Sequence, residues 1–148
     1  FGSVAILAGS SGMLGAAILA ARGALRGGVG LCRVCLPASL MAPFTIAVPA
    51  ATTLRRTDGL RGFFEHATAM VLGPGLGTAK AAGAQVRRAI ERSTVPGVLD
   101  ADALNLLAPL RARRWHRRSS MPACGSAMAN NTPPSILAMA IGAARCWA

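Results

Sequence analysis

Three short apolar runs in this chain each stop at a cluster of glycine or acidic residues. Val4 to Ala8 leads into Gly9-Ser10-Ser11-Gly12, Ala69 to Leu72 into Gly73-Pro74-Gly75-Leu76-Gly77-Thr78, and Val98-Leu99 into Asp100-Ala101-Asp102. Wholly apolar runs this short read as strands covered on both faces. A stretch of helical composition follows each one: Met13 to Leu25 closed by Gly27-Gly28, Ala79 to Arg92, and Ala103 to Ala108. In the second of these, Lys80, Arg87, Arg88 and Arg92 are available for a solvated face. Strands alternating with helices predict an α/β fold, a mostly parallel sheet with helices on both faces. Ligands of such sheets bind outside the carboxyl ends of the strands, so the three polar loops fall on one functional edge.

Between the first two loops, Leu31 to Leu36 reads as a second strand ended by Pro37, and Thr45 to Val48 as a third before Pro49. Leu60 to Ala67 reads as a helix feeding the Ala69 strand. Beyond Ala108 the alternation gives way. Arg111 to Met121 is an Arg/Ser run around Trp115 and His116, Asn130 to Pro134 is a cluster of turn formers, and Ile136 to Ala144 is apolar without an evident partner. The expected organisation is one incomplete α/β unit over 1–108 and an irregular tail over 109–148.

Charge follows the same division. The net charge is +11, yet residues 1–108 set ten Lys/Arg against Asp58, Glu65, Glu91, Asp100 and Asp102, while 109–148 hold six arginines and no acid. The arginine run comes without an aromatic stacking platform or a nucleic-acid-binding motif, so no nucleic-acid partner is expected. Gly12 to Leu31 is broken by Arg22 and Arg26 and fails as an apolar span of about 20 residues, so no membrane partner is expected either. The chain enters its first strand directly after Phe1, without a signal-peptide pattern, which we read as the start of a fragment. Four irregularly spaced cysteines do not form a secreted disulfide framework, and a cytoplasmic location is expected.

The two glycine loops permit close approach of backbone to a bulky ligand, and the helix that follows offers free N–H groups to phosphate oxygens. Taken alone, either loop equally well shapes a tight strand-to-helix turn. Asp100 and Asp102, one residue apart in an extended segment, would point the same way and could hold a hydrated Mg²⁺ or order a hydroxyl. Alternatively Asp102 or Asn105 caps the following helix. Cys32 and Cys35 are three apart on a strand, so they point to opposite faces and make neither a redox pair nor a zinc site. His66 and His116 are read as surface or capping residues rather than catalytic bases.

Three segments together resemble one family. They are Gly9-Ser-Ser-Gly-Met-Leu-Gly-Ala16 with Ala24-Leu-Arg-Gly-Gly-Val-Gly-Leu31, then Val71-Leu-Gly-Pro-Gly-Leu-Gly77, then Val98-Leu-Asp-Ala-Asp-Ala-Leu-Asn105. In this order and at this spacing, over about residues 1–108, they resemble the ADP/ATP-dependent NAD(P)H-hydrate dehydratases, which are ribokinase-like proteins. The resemblance implies a repair lyase that uses ADP or ATP, with Mg²⁺, to activate the 6-hydroxyl of hydrated NADH or NADPH, so that its departure restores the cofactor. It implies substrate contacts for Gly12, Gly15, Ala16 and Gly75, a neighbouring pocket shaped by Asp100, Asp102 and Asn105, and a homo-oligomer when intact. Ser11 and Leu14 depart from the commonest residues of the family. The Thr-Pro-His-Pro-Gly-Glu motif, the Lys-Gly nucleotide loop and the Gly-Gly-Asp motif that carries the general base are absent from these 148 residues. No catalytic residue is therefore assigned and no turnover by this chain alone is expected. The abrupt change of composition near 108 reads as an out-of-frame translation.

Two rival classes share parts of the pattern. A short-chain reductase or epimerase also begins with a strand, Gly9-x-x-Gly12-x-x-Gly15 and a helix. Against it, the chain has no tyrosine for catalysis, and the second strand ends in Cys35-Leu36-Pro37 with no acid for a ribose hydroxyl. A ribokinase-like small-molecule kinase would share the fold, but Gly-Pro-Gly-Leu-Gly favours the dehydratase.

Overall fold

The computed structural model describes residues 1–57, 60, 62–108 and the backbone of 136–137. Six parallel strands form one sheet: β1 (Ser3–Leu7), β2 (Leu31–Leu36), β3 (Thr52–Arg55), β4 (Ala69–Leu72), β5 (Gly97–Leu99) and β6 (Ile136–Leu137). Their spatial order is β3-β2-β1-β4-β5-β6. The chain thus builds outward from β1 in one direction and then crosses to the other side of β1 to place β4. Ile6 pairs with Val34 on one side of β1 and with Val71 on the other. The crevice outside the ends of β1 and β4 is therefore the topological switch point of the sheet, where open α/β sheets bind their ligands.

Strand alternation divides the core in two. Val4, Ile6, Ala8, Cys32, Val34 and Leu36 pack against α1 (Leu14–Arg26) and α2 (Ala38–Ala47). Ala5, Leu7, Cys35, Met70, Leu72 and Leu99 pack on the other face against α3 (Lys80–Arg92) and the segment 60–67. Helices thus cover both faces, as the alternating pattern predicts. In α3 the buried residues Ala82, Gln85, Val86 and Ala89 recur at helical spacing, and Lys80, Arg87, Arg88 and Arg92 are exposed. Cys32 and Cys35 are free, buried and on opposite faces.

Three expectations need correction. Thr45 to Val48 is not a strand: Thr45 and Ile46 lie in α2, Val48 caps it, and the edge strand is Thr52–Arg55. Here helical periodicity outweighs β-branched composition. Leu40, Phe44, Ala47 and Val48 sit three or four apart and pack on the sheet, while Thr45 and Ile46 face outward. Thr45 Oγ1 also donates to the Met41 carbonyl one turn back, 2.9 Å away, so the hydroxyl is satisfied within the helix. The expected helix over Leu60 to Ala67 is not found: residues 62–66 form tight turns. Leu60, Gly62 and His66 have φ of 49°, 71° and 54°, incompatible with a right-handed helix. Phe63 nonetheless buries fully there, edge-on to Phe64 at 5.0 Å. Finally, Ile136-Leu137 does have a partner, pairing with Gly97 and Val98 of β5. The Arg111 to Met121 and Asn130 to Pro134 segments, with His116, lie outside the described residues.

Candidate functional site

The loops after β1, β4 and β5 meet edge to edge, and glycine is what permits the approach. Gly75 is buried with φ +60°, and a Cβ there would lie 2.7 Å from the Met13 carbonyl oxygen and 2.8 Å from the Ala16 Cβ. Gly73, with φ +123°, passes so close to β5 that a Cβ would lie 1.9 Å from the Asp100 carbonyl oxygen. The Gly9 N–H donates to the Pro74 carbonyl at 2.9 Å, and the Gly73 N–H to the Leu7 carbonyl at 3.0 Å, so the first two loops are laced together by backbone.

Asp102 ties in the third loop: its Oδ2 accepts the Gly77 N–H at 2.8 Å. No bond from its carboxylate to its own helix is found among the described residues. The segment is not extended, because Ala101 takes φ +45° and turns the chain between the two acids. Asp100 Oδ1 accepts the adjacent Ala101 N–H at 2.8 Å. Both carboxylates are half-buried and each has one oxygen free of these bonds. Residues 102–108 are helical, and Asn105 lies exposed within them, its N–H on the Ala101 carbonyl at 3.3 Å.

The open part of the site is the loop into α1. Gly12 and Gly15 are exposed, and nothing lies within 4 Å of where a Cβ would project from either. The Met13 N–H closes a turn on the Ser10 carbonyl at 2.9 Å, but the amides of Ser10, Ser11 and Gly12 donate to no backbone carbonyl among the described residues. The Ser10 hydroxyl is buried without a partner among the described residues, and a Cβ on Gly77 would lie 3.4 Å from it. The start of the 13-residue helix α1 adds its own unpaired amides. Of the sequence-predicted residues, Gly12, Gly15 and Ala16 form this mouth. Gly75, Asp100 and Asp102 hold its neighbouring loops, and Asn105 stands apart in the exposed helix.

Arg56 is a site residue that sequence reasoning missed, because the strand before it was placed elsewhere. Its N–H extends the β2–β3 ladder onto the Leu36 carbonyl at 2.7 Å. Its Nη2 reaches past the end of β2, at 3.4 Å from the Cys35 carbonyl, to donate to the carbonyls of Ala8 and Gly9, the latter at 2.6 Å. Burial pulls the guanidinium below its ordinary value, an effect the neighbouring Cys35 partly offsets. Burial also pushes the Cys35 thiol up to about 11 despite that neighbour, so the pair is not an activated nucleophile.

A parallel doubly wound sheet with two glycine loops at its switch point places the chain in the doubly wound α/β class, in which nucleotide-binding proteins are common. The strand order is shared with nicotinamide-dependent reductases, so the fold alone does not choose among such classes. Comparison does. The NAD(P)H-hydrate dehydratase family profile matches residues 4–120, past the compositional boundary near 108. The chain belongs to that family. It is 36% identical over 127 residues to the bifunctional NAD(P)H-hydrate repair enzyme of Escherichia coli, covering 85% of this chain and 24% of that protein. It is 34% identical over 122 residues to the ADP-dependent (S)-NAD(P)H-hydrate dehydratase of Xanthomonas campestris, covering 74% and 42%. Among solved structures, the ADP/ATP-dependent NAD(P)H-hydrate dehydratase of Bacillus subtilis co-crystallised with ATP/Mg²⁺ superposes with a TM-score of 0.61 at 31% identity, over 70% of this chain and 38% of that one. A ribokinase-like superfamily protein of Enterococcus faecalis gives a TM-score of 0.67 at 23% identity, covering 74% and 40%, and supports the fold. The chain thus spans less than half the length of these relatives.

Proposed function

We propose that this chain supplies the substrate-binding part of an ADP- or ATP-dependent (S)-NAD(P)H-hydrate dehydratase, with the hydrated dinucleotide lying across the crevice between β1 and β4. The observation that supports this best is the convergence of both glycine loops on the switch point, leaving the Ser10, Ser11 and Gly12 amides and the Ser10 hydroxyl without partners among the described residues. Unpaired N–H groups at a helix start suit phosphate oxygens. The open surface at Gly12 and Gly15 lets a flat, bulky ligand reach the backbone. Asp100 and Asp102 each keep a carboxylate oxygen near the mouth, suited to ordering a hydroxyl of the substrate.

The nucleoside phosphate is the co-substrate in this reading. Its binding loop and the general base belong to motifs that these 148 residues do not contain, so the chain binds without completing turnover. The described residues do not suit a resident Mg²⁺. The backbone between Asp100 and Asp102 is not extended, with φ +45° at Ala101, each carboxylate already engages a backbone amide, and no third acidic, His or Cys ligand joins them among the described residues. Mg²⁺ would arrive on the nucleotide's phosphates, its common mode of binding. Among the described residues no helix is long and apolar enough to cross a membrane. A soluble metabolite as substrate agrees with a cytoplasmic enzyme.

The test is recovery of reduced-nicotinamide absorbance from hydrated NADH with ADP or ATP and Mg²⁺. This chain is compared with a version in which the downstream family motifs are restored in frame. Activity only in the restored protein is expected. Activity in the 148-residue chain would mean that it carries its own base and nucleotide site, and silence in both would remove the dehydratase assignment.

A further inference from the structure

Arg56 does more than fill the sheet edge, because of the two carbonyls it holds. Paired strands end at Leu7 and Cys35, so the carbonyls of Ala8 and Gly9 lie beyond the last rung of the β1–β2 ladder. Both bond to the same Nη2. A trans peptide is planar, with its C=O and N–H pointing in opposite directions. Holding the Ala8 carbonyl on the β2 side therefore turns the Gly9 N–H toward β4, where it is seen bonded to Pro74. Holding the Gly9 carbonyl on that same side turns the Ser10 N–H toward β4 as well, where no backbone carbonyl receives it among the described residues. Two consecutive carbonyls facing one way break the alternation of the strand, and the chain makes this turn at Gly9 with φ +72°. A side chain there would strike Leu36 at 2.9 Å and Ala17 at 3.2 Å, so only glycine fits the latch.

We infer that Arg56 is a positioning residue which, through the Gly9–Ser10 peptide, aims the Ser10 N–H beside the Ser10 hydroxyl at a phosphate oxygen of the dinucleotide. This rests on the ligand site proposed above. A cation on the carbonyl also polarises the peptide, making its N–H a stronger donor. All three carbonyls meet the same Nη2, so a lysine ammonium, likewise a single cationic nitrogen but on a more flexible stem, can replace the latch only in part. Among the described residues the Arg56 Nε is buried without a partner, and the Nη2 contacts are what hold the side chain.

The experiment uses the 148-residue chain and its Arg56→Met and Arg56→Lys variants, measuring amide hydrogen exchange and NADPH affinity by calorimetry. In R56M, exchange at the Gly9 amide is expected to quicken about tenfold more than at Val34 in the middle of β2, and NADPH to bind about tenfold more weakly, the scale of one lost charged hydrogen bond. R56K should fall between R56M and the native chain in both. Equal acceleration at Gly9 and Val34 would mark Arg56 as merely structural and overturn the inference, and so would native NADPH affinity in R56M. The two readings fail separately. If the native chain does not bind NADPH but the Gly9-selective effect persists, the latch stands and the dinucleotide reading fails. If NADPH binds but the selectivity is missing, the latch fails alone.

Discussion

Removing the Asp102 carboxylate isolates the contact that joins the third strand end to the other two. Oδ2 of this half-buried side chain accepts the Gly77 N–H at 2.8 Å. Asp102→Ala strips the partner from a partly buried amide, at a cost of about 1–3 kcal/mol. For a domain near this size each kcal/mol lowers Tm by roughly 4 °C, so thermal unfolding should fall by roughly 4–12 °C. Asp102→Asn keeps an acceptor but loses its charge, and a neutral hydrogen bond is about half as strong as a charged one. Its loss should be about half that of D102A. Because the bond is local, exchange at the Gly77 amide should rise in D102A by more than at Met70, which lies in β4 ahead of the loop. Thermal melts by circular dichroism and amide exchange read both effects. Unchanged stability within about 0.5 kcal/mol, the usual range of a neutral surface substitution, or equal losses in D102A and D102N, would refute the assignment of this bond as the tie between loops.

Further expectations follow from the same edge and from the core. Gly75→Ala adds a methyl 2.7 Å from the Met13 carbonyl at a left-handed position, and should cost about 2–4 kcal/mol from strain and crowding together. Gly12→Ala, equally left-handed but with open space around it, should cost only about 1–2 kcal/mol; denaturant titration of both separates crowding from backbone strain, and equal losses would contradict the loop contact. The Cys32 and Cys35 thiols are raised by burial from near 9.0 to about 11. Unfolded thiols therefore ionise where folded ones do not, and stability should fall as pH rises from about 9 to about 11. A C32A/C35A variant should show a flatter profile over that window, and native-state labelling of these two thiols should be slow at neutral pH.

Much of this architecture was legible because burial imposes pattern. β1, β4 and β5 are apolar runs between turn formers, β2 is one interrupted by Arg33, and α1 and α3 are uninterrupted helical stretches, so local composition and tertiary role largely agree. The glycine loops were legible for the same reason, since left-handed turns and close approaches at Gly12, Gly75 and Gly77 leave few other residues possible. The misreadings have physical causes too. Thr45 and Ile46 carry strand-like side chains on the solvent side of α2, where branching is tolerated and packing is decided by Leu40, Phe44 and Val48. Displacing the third strand to 45–48 left Arg56 in an unassigned polar stretch, and no spacing in the sequence signals a guanidinium reaching across two strand ends. Asp100 and Asp102 looked like an extended pair because nothing about Ala101 announces a φ of +45°.

The most direct test of the account is titration of the isotope-labelled chain with hydrated NADPH, followed through the backbone amides. The account predicts shifts concentrated at Ser10 to Ala16 and at Gly75 to Gly77, with β3 and the 62–66 turns unaffected and no conversion of the ligand. Binding mapped to any other surface, or no binding by a chain whose spectrum shows the folded sheet, would contradict the placement of the substrate at the β1–β4 crevice.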